Sequence, residues 1–119
     1  MRHKARRVRR NAVTGDIAAA THYIELTESS LGPLTCFHLR YGAALAATFT
    51  FETSCLEEVA ADSTTAGDWH IETDVTITAA AASASGKVYH VGNFGAMRSR
   101  IVAVVATGGA LDIACVDKS

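Results

Sequence analysis

Polar and apolar residues alternate along most of the chain from residue 21 onward, a period of two that sends successive side chains to opposite faces of a strand. Tyr23-Ile24-Glu25-Leu26 reads as a short first strand, closed by the turn-forming cluster Glu28-Ser29-Ser30-Leu31-Gly32-Pro33. From Leu34 to Tyr41, Thr35, Phe37, Leu39 and Tyr41 share one face and Cys36, His38 and Arg40 the other, until Gly42 breaks the run. The clearest alternation follows, with Leu45, Ala47, Phe49 and Phe51 opposed to Thr48, Thr50 and Glu52, and it predicts that both phenylalanines enter the core. Residues 56–68 are acidic and polar with scattered apolar positions, and read as a loop holding at most one helical turn. Trp69 and Ile71 then share a face as expected core residues, and after a kink at Thr73-Asp74 the pattern continues through Val75 and Ile77.

The Ala/Ser run from Ala79 to Gly86 has helix propensity, but its flanking strands and terminal glycine favour a loop or a strand of small residues. Beyond it lie a strand from Lys87 to Val91, a turn at Gly92-Asn93-Phe94-Gly95, a strand from Met97 to Thr107 and a last strand from Leu111 to Val116. Gly108-Gly109 between the last two is expected to supply the positive φ angles of a tight hairpin. In the long strand Arg98, Arg100, Val102 and Val104 face away from Ser99, Ile101, Ala103 and Val105. Its middle is therefore apolar on both sides, which places it centrally in a sheet or under a second layer. Seven or eight short strands with regular turns and no convincing helix predict an all-β fold. The expected form is a single β-sandwich of jelly-roll type over residues 21–119.

Length and composition narrow the function classes. At 119 residues, about half of them apolar, the chain can build one real core but not a TIM barrel or a two-domain dehydrogenase. Many Ala and Thr and only 7% aromatics mean a core of small and β-branched side chains. No apolar run is long enough for a membrane span, and the basic N-terminus lacks the apolar stretch of a signal peptide, so a soluble protein made in a cytoplasm is expected. Cys36, Cys55 and Cys115 form no CxxC pair and an odd number, and are expected to be buried small hydrophobes.

The net charge of −1 conceals a strong asymmetry. Arg2, Lys4, Arg6, Arg7, Arg9 and Arg10 precede every acid, and from residue 11 onward five basic residues meet 12 acidic ones. Residues 1–20 are read as a basic N-terminal arm, flexible until an acidic partner orders it, on an acidic body. A solvated tail, nucleic acid and protein contact are the alternatives. The acidic body argues against a duplex, and a contact with an acidic protein surface or a sister copy is preferred.

Few patterns carry chemistry. His22, His38, His70 and His90 are candidate ligands or bases, above all His38 with Cys36 on one strand face, but a Cys-x-His pair falls short of the four ligands of a structural site, so no metal is expected. There is no Gly-x-Ser-x-Gly elbow, no Walker loop and no Gly-x-Gly-x-x-Gly, and neither catalysis nor a cofactor is expected. Asp68 and Glu72 beside Trp69 are a solvated strand edge more readily than a glycosidase pair. An exposed Trp69 with Asp68 could instead contact a glycan, whereas its alternation with Ile71 favours the core.

Ala47-Thr48-Phe49-Thr50-Phe51-Glu52-Thr53-Ser54, Gly67-Asp68-Trp69, and Gly92-Asn93-Phe94-Gly95-Ala96-Met97-Arg98-Ser99-Arg100 leading to Thr107-Gly108-Gly109 resemble small β-sandwich proteins of tailed-bacteriophage virions. The likeness covers residues 45–116 and is shared by head decoration proteins, fibre modules and tail components; the basic arm is outside it. It implies a virion building block, foremost a capsid decoration or cement protein that forms a homo-oligomer such as a trimer and binds the major capsid protein. Its alternative is a glycan-binding tail or fibre module.

Overall fold

The computed structural model describes residues 7–26, 34–56, 58–79, 85–90 and 98–118, and among them the protein is all-β, without a helix. Nine strands follow in order: β1 (Arg7–Val13), β2 (Asp16–Ile17), β3 (Thr21–Glu25), β4 (Leu34–Tyr41), β5 (Ala46–Ser54), β6 (His70–Ala79), β7 (Ser85–His90), β8 (Arg98–Thr107) and β9 (Gly109–Lys118). They form two packed sheets with every pairing antiparallel. One has the order β1-β9-β4-β7 with β2 also on β9, the other β3-β8-β5-β6. The pairing is nested: β1 and β2 lie on β9, β3 on β8, β4 on β7 and β5 on β6.

Period-two patterning produces the core directly. Phe37, Leu39 and Tyr41 of β4 with Leu111, Ile113 and Cys115 of β9 face Ala47, Phe49 and Phe51 of β5, Ile77 and Ala79 of β6, and Ile101, Ala103 and Val105 of β8. Phe37 and Phe51 stack across the two sheets with ring centroids 5.3 Å apart and an interplanar angle of 24°. The kink at Thr73-Asp74 is a bulge: Thr50 lies opposite Thr76 and Glu52 opposite Ile71, so four residues of β6 pass one of β5. The loop reading of residues 56–68 holds for its described positions. Residues 80–84, most of the Ala/Ser run, lie outside the described residues.

Four expectations are corrected. Residues 7–13 belong to the expected flexible arm, yet they form β1 along β9, with Arg7 opposite Lys118, Arg9 opposite Val116 and Arg10 opposite Cys115. Pairing with β9 is made by backbone groups of the same chain, and the arginines of β1 do not prevent it. β1 and β2 run along the same strand as one broken edge, with Gly15 between them at φ +103° and its carbonyl accepting from Leu111 N–H at 2.8 Å. Trp69 and Ile71 are not core residues: Trp69 is half-buried outside the sandwich and Ile71 is 50% exposed, because the bulge after Ile71 reverses the face on which the alternation continues. Gly108 and Gly109 do not take positive φ; a Cβ on Gly108 would sit 2.6 Å from the Ile17 carbonyl oxygen, and one on Gly109 2.8 Å from the Leu45 nitrogen. Close backbone approach, not turn handedness, requires these glycines. Of the cysteines, Cys115 is buried in the core, Cys36 half-buried and, against expectation, Cys55 exposed.

Candidate functional site

The most elaborate polar construction among the described residues lies on the outer face of the β3-β8-β5-β6 sheet, at the end where β5 leaves for β6. Glu25 of β3, Arg100 of β8 and Glu52 of β5 occupy one cross-strand row, since Arg100 is opposite both acids, and Arg98 follows on the same face of β8. Arg98 binds Glu25 in a two-pronged pair, Nε to Oε2 and Nη2 to Oε1, both at 2.7 Å. Arg100 donates to Glu52 Oε1 from Nη2 at 2.8 Å and from Nε at 3.2 Å. Hydrogen bonding to Glu25 raises the Arg98 pKa above its ordinary value, burial opposes this, and the Glu25 charge adds to the rise.

Each guanidinium also reaches past the sheet to the loop between β5 and β6. Arg98 Nη1 donates to the Val59 carbonyl, Trp69 Nε1–H to the Ala60 carbonyl at 3.1 Å, and Arg100 Nη1 to the Ala61 carbonyl at 2.7 Å. Three consecutive loop carbonyls are thus held by three side chains. The Arg100 guanidinium lies between the rings of Trp69, 4.4 Å from its centroid, and Tyr23, 5.0 Å from its centroid, while that of Arg98 is 5.3 Å from the Trp69 centroid. The loop braces itself as well. Ser63 Oγ–H donates to Asp68 Oδ2 at 2.5 Å, Ser63 N–H to the Ala60 carbonyl at 3.1 Å and Asp68 N–H to the Thr65 carbonyl at 3.1 Å, with Gly67 at φ +91°. Thr53 Oγ1–H to Glu72 Oε1 at 2.9 Å ties the loop's two ends together.

The result is an acidic loop clamped to the sheet by side-chain and backbone hydrogen bonds. Glu58 and Asp62 are exposed on it, and an open cavity of about 480 Å³ is lined by Leu56, Glu58, Val59, Ala60, Ser63 and Asp68. Of the sequence-designated glycan pair, Asp68 lines this cavity with its carboxylate held by Ser63, whereas Trp69 presents its ring to two guanidiniums. Arg7, Arg9 and Arg10 are in β1, and Arg2, Lys4 and Arg6 lie outside the described residues. Cys36 and His38 are half-buried on the outer side of β4, and no group of three or more His, Cys, Asp or Glu among the described residues could hold a metal. No helix among the described residues is long and apolar enough to cross a membrane.

Beyond the clamp, the described side chains on the same face are uncharged. Thr21, Thr48, Thr76, Thr78 and Val104 are exposed there, with Thr50 and Val102 half-buried. The large apolar side chains exposed among the described residues, Leu56, Ile71 and Val104 at 48%, 50% and 53%, all lie on this side of the molecule, on the sheet's outer face or in the loop over it. Sequence reasoning put Arg98 and Arg100 on one strand face but did not find the clamp, because the strand order that brings Glu25 and Glu52 to either side of β8 is not written in any one segment. Comparison with family models, curated proteins and solved structures finds no match to the chain.

Proposed function

We propose that the chain is a structural protein of a tailed-bacteriophage particle, a jelly-roll sandwich that decorates or cements the capsid and assembles with copies of itself and with the major capsid protein. One observation carries this reading: the exposure of Leu56, Ile71 and Val104 on a single side, beside a Thr/Val surface whose described side chains beyond the clamp carry no charge. A solvated sheet face ordinarily carries charge; one that does not is suited to contact with another protein surface. Nested pairing, with the first strands on the last and the middle pair adjacent, supports the jelly-roll form. The clamp suits the same role, since a loop held by two ion-paired arginines, one pair buried and the other partly solvated, presents a fixed surface that costs little ordering entropy on docking. The basic residues Arg2, Lys4 and Arg6 add an electrostatic contact to acidic surfaces, weak singly and effective when repeated over a shell.

The test is mass spectrometry of particles purified from a lysate of the chain's source. The chain should band with the particles in fixed stoichiometry to the shell protein; recovery only in the particle-free fraction contradicts the reading. The open cavity beside Asp68 carries a second reading, a glycan contact of a tail or fibre component. It predicts oligosaccharide binding that is lost in Asp68→Ala, and no such binding on a broad glycan array removes it.

A further inference from the structure

We infer that two copies of this chain pair edge to edge through the second half of β6, extending the β3-β8-β5-β6 sheet into a continuous sheet across a twofold axis. The sheets end in four edges, and their unpaired backbone groups invite another strand unless something blunts them. The edge formed by β1 and β2 is arginine-rich, with Arg7, Arg9 and Arg10, and is broken by a bulge between Asn11 and Val13 and by Gly15 at φ +103°. β3 is five residues long and includes Glu25, already committed to Arg98. β7 is six residues long and includes Gly86 and Lys87.

β6 differs along its own length. Its first half holds the bulge opposite Phe51 and the acids Glu72 and Asp74. Its second half, Val75-Thr76-Ile77-Thr78-Ala79, has no charge, Gly or Pro, and from Thr76 to Ala79 it keeps a regular ladder with β5. Among the described residues no strand pairs its outer side. β-Branched residues in a regular, uncharged edge strand are the composition that native proteins avoid leaving free.

The occupant that fits is the same strand of a second copy. An antiparallel edge is its own complement about a twofold axis perpendicular to the sheet, so one surface supplies both partners. Charge sets the register. Centred on Ile77, Thr76 lies opposite the copy's Thr78 and Val75 opposite its Ala79, and Asp74 passes beyond the paired segment instead of meeting its own copy. Acidic bodies repel elsewhere, and this uncharged segment lets two of them approach. Thr76 and Thr78 are exposed on the outer face, so the pairing also joins the two open Thr/Val faces into one wider surface. A contact this short is weak by itself and gains from the crowding of copies on a particle, in which respect the inference rests on the assembly reading.

The test is sedimentation velocity of the full chain from micromolar to near-millimolar concentration, beside Thr76→Lys/Thr78→Lys and, as a control at an exposed position of the other sheet between β1 and β2, Thr14→Lys. The expected result is a dimer weakened about tenfold or more by the paired lysines and changed little by Thr14→Lys. A monomer at every concentration overturns the inference and leaves particle incorporation to its own test. A dimer unaffected by the paired lysines overturns it equally. Should that variant fail to fold, hydrogen exchange on the unaltered chain decides: amides of 75–79 gain protection as concentration rises, or, contradicting the inference, do not.

Discussion

Arg100 is the residue on which the clamp depends most, and truncating it to Met tests the site as a whole. Its side chain is 4% exposed and that of Glu52 11%, so Arg100→Met strands a carboxylate that has little water to turn to. Leaving one partner of a buried ion pair unmatched costs about 3–5 kcal/mol. The lost bond to the Ala61 carbonyl adds about 1 kcal/mol. The contacts with Trp69 and Tyr23 contribute on the order of 1 kcal/mol more. A domain of this size has roughly 5–15 kcal/mol to lose, so the variant should fold but sit near its limit. Arg100→Met/Glu52→Leu removes both charges and should recover about half of the loss or more, because an apolar pair needs no partner. Urea unfolding followed by far-UV circular dichroism gives the magnitudes. The fluorescence of Trp69, the chain's sole tryptophan, reports the loop separately. In Arg100→Met it should change at lower urea than the backbone signal does, as the loop leaves before the sandwich opens. A loss below about 1 kcal/mol, or additivity of the two substitutions, would refute the argument that this pair holds the loop in place.

Other perturbations should rank in a definite order. Arg98→Met should cost less than Arg100→Met, about 1–2 kcal/mol by urea unfolding, because its ion pair with Glu25 is partly solvated at 16% and 26% exposure. Phe51→Ala, which empties one half of the inter-sheet aromatic stack, should cost about 3–5 kcal/mol and lower the thermal midpoint accordingly. Gly109→Ala should destabilise by about 1–3 kcal/mol through its clash with the Leu45 backbone, whereas at Gly67 the same change costs about 1 kcal/mol through positive φ alone. Removing residues 1–6 should leave the thermal midpoint unchanged, whereas removing residues 1–13 uncovers β9 and should raise light scattering on storage.

The alternation of Phe37, Leu39, Tyr41, Phe49, Phe51, Ile101, Ala103 and Val105 made the core legible, since burial on one side of a strand leaves a mark at every second residue. The same rule misled at Trp69 and Ile71, where the bulge between them and Val75 shifts the phase and only pairing with β5 reveals it. β1 was obscured by composition: six basic residues in ten read as an unpackable arm, although backbone pairing to β9 asks nothing of them. Gly108-Gly109 reads locally as a positive-φ turn, whereas the need for glycine there comes from contact with Ile17 and Leu45, remote in sequence. The clamp lies furthest from any single segment, for its residues come from β3, β5, β8 and the loop, and a carbonyl acceptor such as that of Ala60 has no sequence signature.

The central claim, that the sandwich assembles with its own copies, is tested most directly by the solution mass of the full chain across concentration, in low and high salt, beside a chain without residues 1–6. The predicted result is a mass that rises reversibly with concentration, and falls in part but not to the monomer when salt is added or Arg2, Lys4 and Arg6 are removed. A monomeric mass in both chains at every concentration and salt would contradict it.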